Sequence, residues 1–418
     1  MTLNAAPTAL PQPFGHGFPA DPHAVYARLR AMGSVHRVAL PDGSPVWLVT
    51  READVRRGLA DPRLSVDKRH SGTGFKGFAL PPALDANLLN IDAEDHLRLR
   101  RLVSQGFTPR HVEALRGSVQ AAVDAGVERL AERLAAEGRA DVVEELARPL
   151  PLTVIGELLA VPEAEREAFS GWVAAMLTPA SREELASAIG AVHGFLLDLV
   201  ARRRARPGDD ILSDLIAARD DEDRLSENEL VSLAFLLLMA GSENVQHLLG
   251  NGLLTLLTHP RELAALRARP ELLPQAVEEL LRHSHANHTA IRRFPTEPVD
   301  IGGVRIPAGD TVLFSLAAAH RDPARYPAPD RFDLDREDKA HLALGHGLHY
   351  CLGAPLARMQ VSAALGTLLR RLPSLRLACA AEEVPWTTTF RFHAVRELPV
   401  AVSADGAVTH RPGTAPDR

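Results

Sequence analysis

Apolar residues in this chain fall mostly at helical spacing, with short alternating runs near the two ends. From Pro19 onward, Val25, Leu29 and Met32 mark a short helix. Residues 35–40 and 45–49 alternate around Pro41-Asp42-Gly43, the pattern of a β-hairpin. Between Asp92 and about His259 the helical period dominates, broken at Pro109, Pro151, Pro162, Pro179 and Pro207-Gly208. Strand character returns at 299–306, with Gly302-Gly303 at its turn, and again over 386–402. Neither an internal repeat nor a long linker separates two cores. The expectation is a mainly α fold with small β-sheets (α+β), one domain over 13–403, with flexible tails at 1–12 and 404–418.

One helix can be read in detail. Ser226 and Glu229 form a capping box, each side chain satisfying a backbone N–H at the helix start. No proline follows until Pro260, so the helix spans about 30 residues, or ~45 Å. Its middle reads Ala240-Gly241-Ser242-Glu243-Asn244, and Gly241 and Asn244, three apart, share a face. A glycine costs up to ~1 kcal/mol inside a helix. Something therefore approaches the backbone there, either a crossing helix or a ligand.

Composition narrows the class. With 418 residues, 46% of them hydrophobic, the chain can bury a large core. A net charge of −6 gives no electrostatic case for nucleic acid. Two cysteines exclude a disulfide-stapled secreted scaffold. Residues 1–13 lack the basic start and apolar run of a signal peptide, and the strongest apolar run, 230–241, is too short to span a bilayer. A cytoplasmic protein without membrane contact is expected.

The segment Leu344-Gly345-His346-Gly347-Leu348-His349-Tyr350-Cys351-Leu352-Gly353 carries the chemistry. Cys351 precedes a helix-compatible stretch, 352–372, whose N-terminus favours a thiolate. The flanking glycines let backbone N–H groups approach the sulfur and a flat ligand lie against the loop. A thiolate held this way suits the axial position of an oxygen-activating haem. Cys379, without nearby glycines, reads instead as a buried structural thiol. A dinucleotide loop at Gly345–Gly347 is excluded by the missing third glycine. His283, His285 and His288 lack a cysteine or carboxylate to complete a metal site.

On these residues the chain resembles the cytochrome P450 family, and looks most like the soluble bacterial enzymes of actinomycete secondary metabolism. The family's cysteine loop is matched from Gly345 to Gly353, with Leu344 in place of its phenylalanine. Its Glu-x-x-Arg pair appears as Glu279 and Arg282, with Arg331 as the implied third member of that structural triad. The resemblance implies a single-domain fold with the long helix over haem b, and Cys351 as the iron (metal) ligand. It assigns His96, Arg100, His349 and Arg293 (or, with a one-residue slip, Arg292) to the haem propionates. It makes O2 a co-substrate, and Gly241, Glu243 and Asn244 the catalytic segment.

Relatives usually carry threonine where this chain has Asn244. That hydroxyl orders water that relays protons during oxygen activation, and an amide is a poor relay. Either the replacement is tolerated or the reaction is oxidative coupling or cyclisation rather than hydroxylation. By analogous position, substrate contacts are expected from Phe75, Phe78, Leu88, Trp172, Met176, Ala240, Asn287, His288, Ala290, Thr389 and Phe390. The resemblance further implies a natural-product substrate, a monomer, and electrons from a ferredoxin and its reductase. Arg98, Arg101, Arg110 and Arg358 lie on the face where an acidic ferredoxin would dock. The rival from another class is a haem protein that binds its ligand without turning it over.

Overall fold

The computed structural model describes residues 10–72, 74, 80–177, 179–220 and 225–402. Phe75 and Phe78 lie outside the described residues, as do 1–9 and 404–418 of the expected tails.

The first hairpin forms as its alternation requires: Val35–Ala39 pairs antiparallel with Pro45–Val49, His36 opposite Leu48. A third strand, Val312–Phe314, joins in parallel beside Pro45–Val49. Val299–Ile301 and Val304–Ile306 make the second expected hairpin. Near the C-terminus, Trp386–Thr388 pairs with His393–Val395, while Pro399–Val402 lies between Ala140–Asp141 and Leu375–Leu377. The helix at Pro22–Met32 is capped by Asp21, but Met32 projects outward at 78% exposure instead of joining the core.

Helices make up most of the fold, and the largest core gathers around the long helix Glu227–Thr258. It runs 32 residues, its start closed by the Ser226–Glu229 capping box. From Leu230 to Leu238 it is buried all round. It packs against Pro82–Asp85, Pro149–Leu158 and Ala354–Arg371. A Cβ on Gly241 would meet Ile155 Cγ1 at 2.8 Å, so this glycine serves the crossing with Pro149–Leu158. Of the two readings of Gly241, the crossing helix accounts for it. The accessible face of the same stretch belongs to Ala240 and Asn244, four apart and one above the other.

By length and composition, Arg182–Ala205 rather than 230–241 is long and apolar enough to cross a membrane, with mean hydropathy 1.5 over 18 residues. Its buried positions Ala188, Val192, Phe195, Leu196, Leu199 and Val200 form one stripe, however, at core-helix spacing. That stripe meets Phe169 and Trp172 of Glu163–Leu177 through Phe195.

Candidate active site

The cysteine loop is a folded turn rather than an open strap. Gly347 has φ +69°, and a Cβ there would approach Leu59 O and Ala60 Cα at 3.1 Å, which explains a glycine where the loop lies on the helix Glu52–Ala60. The Cys351 N–H donates to Leu344 O at 2.8 Å and closes the loop. Gly353 then starts the helix Ala354–Arg371, with Pro355 in its first turn. Burial pushes the Cys351 thiol up, against the opposing pull of the Gly353 N–H, Arg100 and Arg358. The thiolate bias expected from the helix start is thus outweighed by desolvation until a metal takes the proton's place.

Four of the expected propionate residues come together beside this loop. His96 is 1% exposed and neither ring nitrogen has a hydrogen-bond partner among the described residues. Its ring lies 4.5 Å from that of His349, whose Nδ1 bonds Leu88 O at 3.1 Å. Burial, then the positive charge of Arg100, holds His96 down at about 4. His349 falls to about 3, by burial first and then by Arg293 and His96. The guanidinium of Arg293, a residue 3% exposed, donates among the described residues only to the carbonyls of Ile291 and Arg292. Arg100 spans Leu348 O and Tyr350 O. Buried cations and orphaned imidazole nitrogens converging beside a cysteine loop leave anionic acceptors wanting. The two carboxylates of a haem supply that chemistry, so the residues present fit the group.

On the long helix, Asn244 is exposed, and its Oδ1 accepts from Asn287 Nδ2 at 2.9 Å. Its own Nδ2 makes one long contact, 3.4 Å to Ala240 O. Glu243 has no hydrogen bond or ion pair among the described residues, and burial lifts its carboxyl to about 7. Asn287 sits in a bridge to Phe392, and Phe392 stacks on His247 of the long helix at 5.2 Å.

Several expected substrate contacts belong elsewhere. His288 is 2% exposed and packed between Phe18 and Tyr26, because backbone alternation sends it away from the side that Asn287 occupies. Leu88 and Met176 are core, and Ala290 packs against the small core beneath the first sheet. Phe390 packs toward Phe14 at 6.1 Å. Thr389 Oγ1 is occupied by the N–H groups of Arg391 and Phe392, closing the turn of the last hairpin. Trp172 is partly buried against Phe195.

The charged triad also needs correction. Arg282 grips Glu279 with both carboxylate oxygens bonded, at 2.8 and 2.7 Å, and both side chains are fully buried. The third charge is Arg336, whose Nε donates to Glu279 Oε1 at 3.2 Å. Arg331 offers only its backbone carbonyl, to Arg282 and Arg336, while its side chain is 65% exposed. Of the four arginines expected on a docking face, Arg358 is committed to Glu278 and Arg98 to Glu229 and Asp95, whereas Arg101 and Arg110 are exposed. Sequence reasoning missed Arg336, three residues past Asp333. Among the described residues no group of three or more His, Cys, Asp or Glu could hold a metal ion.

Comparison with known proteins agrees with this geometry. Residues 265–377 match the family model described as cytochrome P450. The chain is 46% identical over 387 residues to cytochrome P450 monooxygenase PikC of Streptomyces venezuelae, covering 92% of each chain. It is similar to the tirandamycin C-bound P450 monooxygenase TamI, with TM-score 0.87 and 42% identity over 94% of this chain and all of that one. It is also similar to CxnD, a cytochrome P450 for C–S bond formation in chuangxinmycin biosynthesis, with TM-score 0.83 and 36% identity over 94% and 97%.

Proposed function

The chain belongs to the cytochrome P450 family, as a monooxygenase of the class that tailors secondary metabolites, and on that premise we propose that it inserts oxygen into a natural-product small molecule using electrons from a ferredoxin and its reductase. The observation that carries this reading is the convergence of His96, Arg293 and His349, unsatisfied or self-paired, beside the Cys351 loop. Relatives named as hydroxylases and monooxygenases weigh against the binding-only rival.

Haem, when bound through Cys351, supplies oxygen activation, the thiolate pushing electron density toward O–O cleavage. The chain's own residues do the rest. Arg293, Arg100, His96 and His349 hold the two carboxylates and fix the ring's orientation. Glu243, with a carboxyl near 7, holds or releases a proton at working pH. Asn244 has its acceptor engaged by Asn287, so its amide presents a donor to the cavity. Arg101 and Arg110 are the arginines left to steer an acidic ferredoxin, and the enzyme works as a monomer.

A second reading, oxidative bond formation without oxygen insertion, is favoured by the Asn244–Asn287 pair standing where a hydroxyl relay usually stands. Turnover with ferredoxin, its reductase and an extract of the producing strain, followed by mass spectrometry, separates the two. A gain of one oxygen supports insertion; loss of two hydrogens without added oxygen supports coupling.

A further inference from the structure

We propose that Asn251 is a positioning residue for the Asn244–Asn287 pair: its buried side-chain amide fastens both the segment that carries Asn287 and the last hairpin to the long helix, two turns beyond Asn244. The inference rests on the monooxygenase reading and adds to it the residue that fixes which end of the Asn244 amide is free.

Asn244, His247, Asn251 and Thr255 follow one another three, four and four residues apart, so they share one face of the long helix. Each meets residues 284–288 or the hairpin formed by Trp386–Thr388 and His393–Val395. Asn244 Oδ1 accepts from Asn287, the His247 ring stacks on Phe392 at 5.2 Å, and Thr255 Oγ1 lies 2.7 Å from Ser284 Oγ. The segment and the hairpin are themselves joined, through His288 N–H to Arg391 O at 2.7 Å and His393 N–H to Ala286 O at 2.9 Å. Asn287 forms its bridge to Phe392 between those two bonds.

Asn251, 5% exposed, makes the largest set of bonds on this face. Its Nδ2 donates to Ser284 O at 3.1 Å and to His393 O at 2.9 Å, and its Oδ1 accepts from Val395 N–H at 2.9 Å. Ser284 caps the helix Leu273–His283, so the pairing of this segment with the hairpin stops near Ala286. Past that point the Asn251 amide supplies the donor and the acceptor that a further strand would supply to His393 and Val395. One side chain thus ties three stretches of backbone together.

The chemistry of an amide makes this tie directional. A hairpin slipped by one residue would set Nδ2 against an N–H and Oδ1 against a carbonyl, which a buried group does not tolerate. The register in turn decides that Asn287, and not His288 beside it, faces the long helix. With Asn287 held there, its Nδ2 occupies Asn244 Oδ1, and Asn244 Nδ2 keeps only its 3.4 Å contact to Ala240 O. Leucine at 251 would match the volume without either polar group. Aspartate would keep the shape and the acceptor.

The haem-loaded full chain, reduced under carbon monoxide, provides the test. Asn251→Leu should shift or broaden the carbon monoxide stretch as Asn287→Ala does, and the double variant should show no further change. Amide exchange at Val395 should quicken at least about tenfold in Asn251→Leu, through loss of one shielded hydrogen bond. Asn251→Asp should keep Val395 protected and place the stretch between those of the wild type and Asn287→Ala; it carries the test if the leucine variant does not fold. Val127→Ala, a loss from the fully buried side of Arg116–Glu137, should leave both readouts unchanged. A wild-type stretch in the folded Asn251 variants or in Asn287→Ala, additive changes in the double variant, unchanged Val395 exchange in Asn251→Leu, or an equal shift in Val127→Ala would overturn the proposal. Absence of the thiolate Soret band from the wild type would instead sink the monooxygenase reading, while Val395 exchange still measured the fastening.

Discussion

Replacing Arg336 by methionine removes the buried charge that the fold assigns to the Glu279–Arg282 cluster. Arg336 is 7% exposed and donates to Glu279 Oε1 at 3.2 Å, Pro327 O at 2.8 Å, Ala328 O at 3.2 Å and Arg331 O at 3.0 Å. Methionine fills similar volume but leaves those acceptors without their donor. Breaking a buried pair on one side costs about 3–5 kcal/mol. Glu279 keeps both bonds from Arg282 and the Asp333 N–H, so the lower end applies. Unfolding entropy of about 2.1 cal/mol/K per residue converts roughly 3 kcal/mol into a fall of roughly 3–4 °C in Tm for a chain this long. Arg331→Met, altering a side chain that is 65% exposed, should change stability by less than about 0.5 kcal/mol. Urea midpoints and calorimetry of the haem-loaded variants provide the comparison. Equal costs, or a larger cost at Arg331, would refute the assignment of Arg336.

Arg293→Ala should release haem to a scavenger about tenfold faster or more, because a shielded charge-assisted bond contributes about 1.5–3 kcal/mol. Arg100→Ala, at a more exposed position, should show a smaller effect, and unchanged release in both would place the propionates elsewhere. Asn287→Ala frees the Asn244 acceptor and should shift or broaden the carbon monoxide stretch of the reduced complex; an identical stretch would mean the amide pair does not face the ligand. For acid stability, burial holds His285 and His288 at about 3 and His247 and His393 at about 4. Each binds a proton more readily in the unfolded chain, near 6.5, so stability falls as pH drops below that value toward 4. At full burial these four give about 5 kcal/mol per pH unit, and less for the partly buried rings. Acid unfolding should therefore begin below about pH 6, and His288→Phe should move its midpoint lower; a flat stability between pH 6 and 4 would contradict this.

What the sequence revealed was local. Ser226 and Glu229 lie three residues apart, so their reciprocal caps could be read directly. The hairpins at 35–49 and 299–306 were legible because alternation and turn residues adjoin. The cysteine loop was legible for the same reason. Distant pairings were not: Arg336 meets Glu279 across 57 positions and Asn287 meets Asn244 across 43. The family resemblance implied Arg331 as the third charge, but burial, invisible in one sequence, falls on Arg336. His288 was misread because the phase of its strand is fixed by Phe18 and Tyr26, far up the chain. Met32 continued a helical stripe past the point where the core ends.

The account turns on Cys351 as the thiolate ligand of haem, and the spectrum of the reduced protein under carbon monoxide tests that most directly. Wild type and Cys379→Ser should both show the strongly red-shifted Soret band of thiolate ligation, since Cys379 packs against the core. Cys351→Ser should lose it. Retention of the band in Cys351→Ser, or its loss in Cys379→Ser, would contradict the central claim.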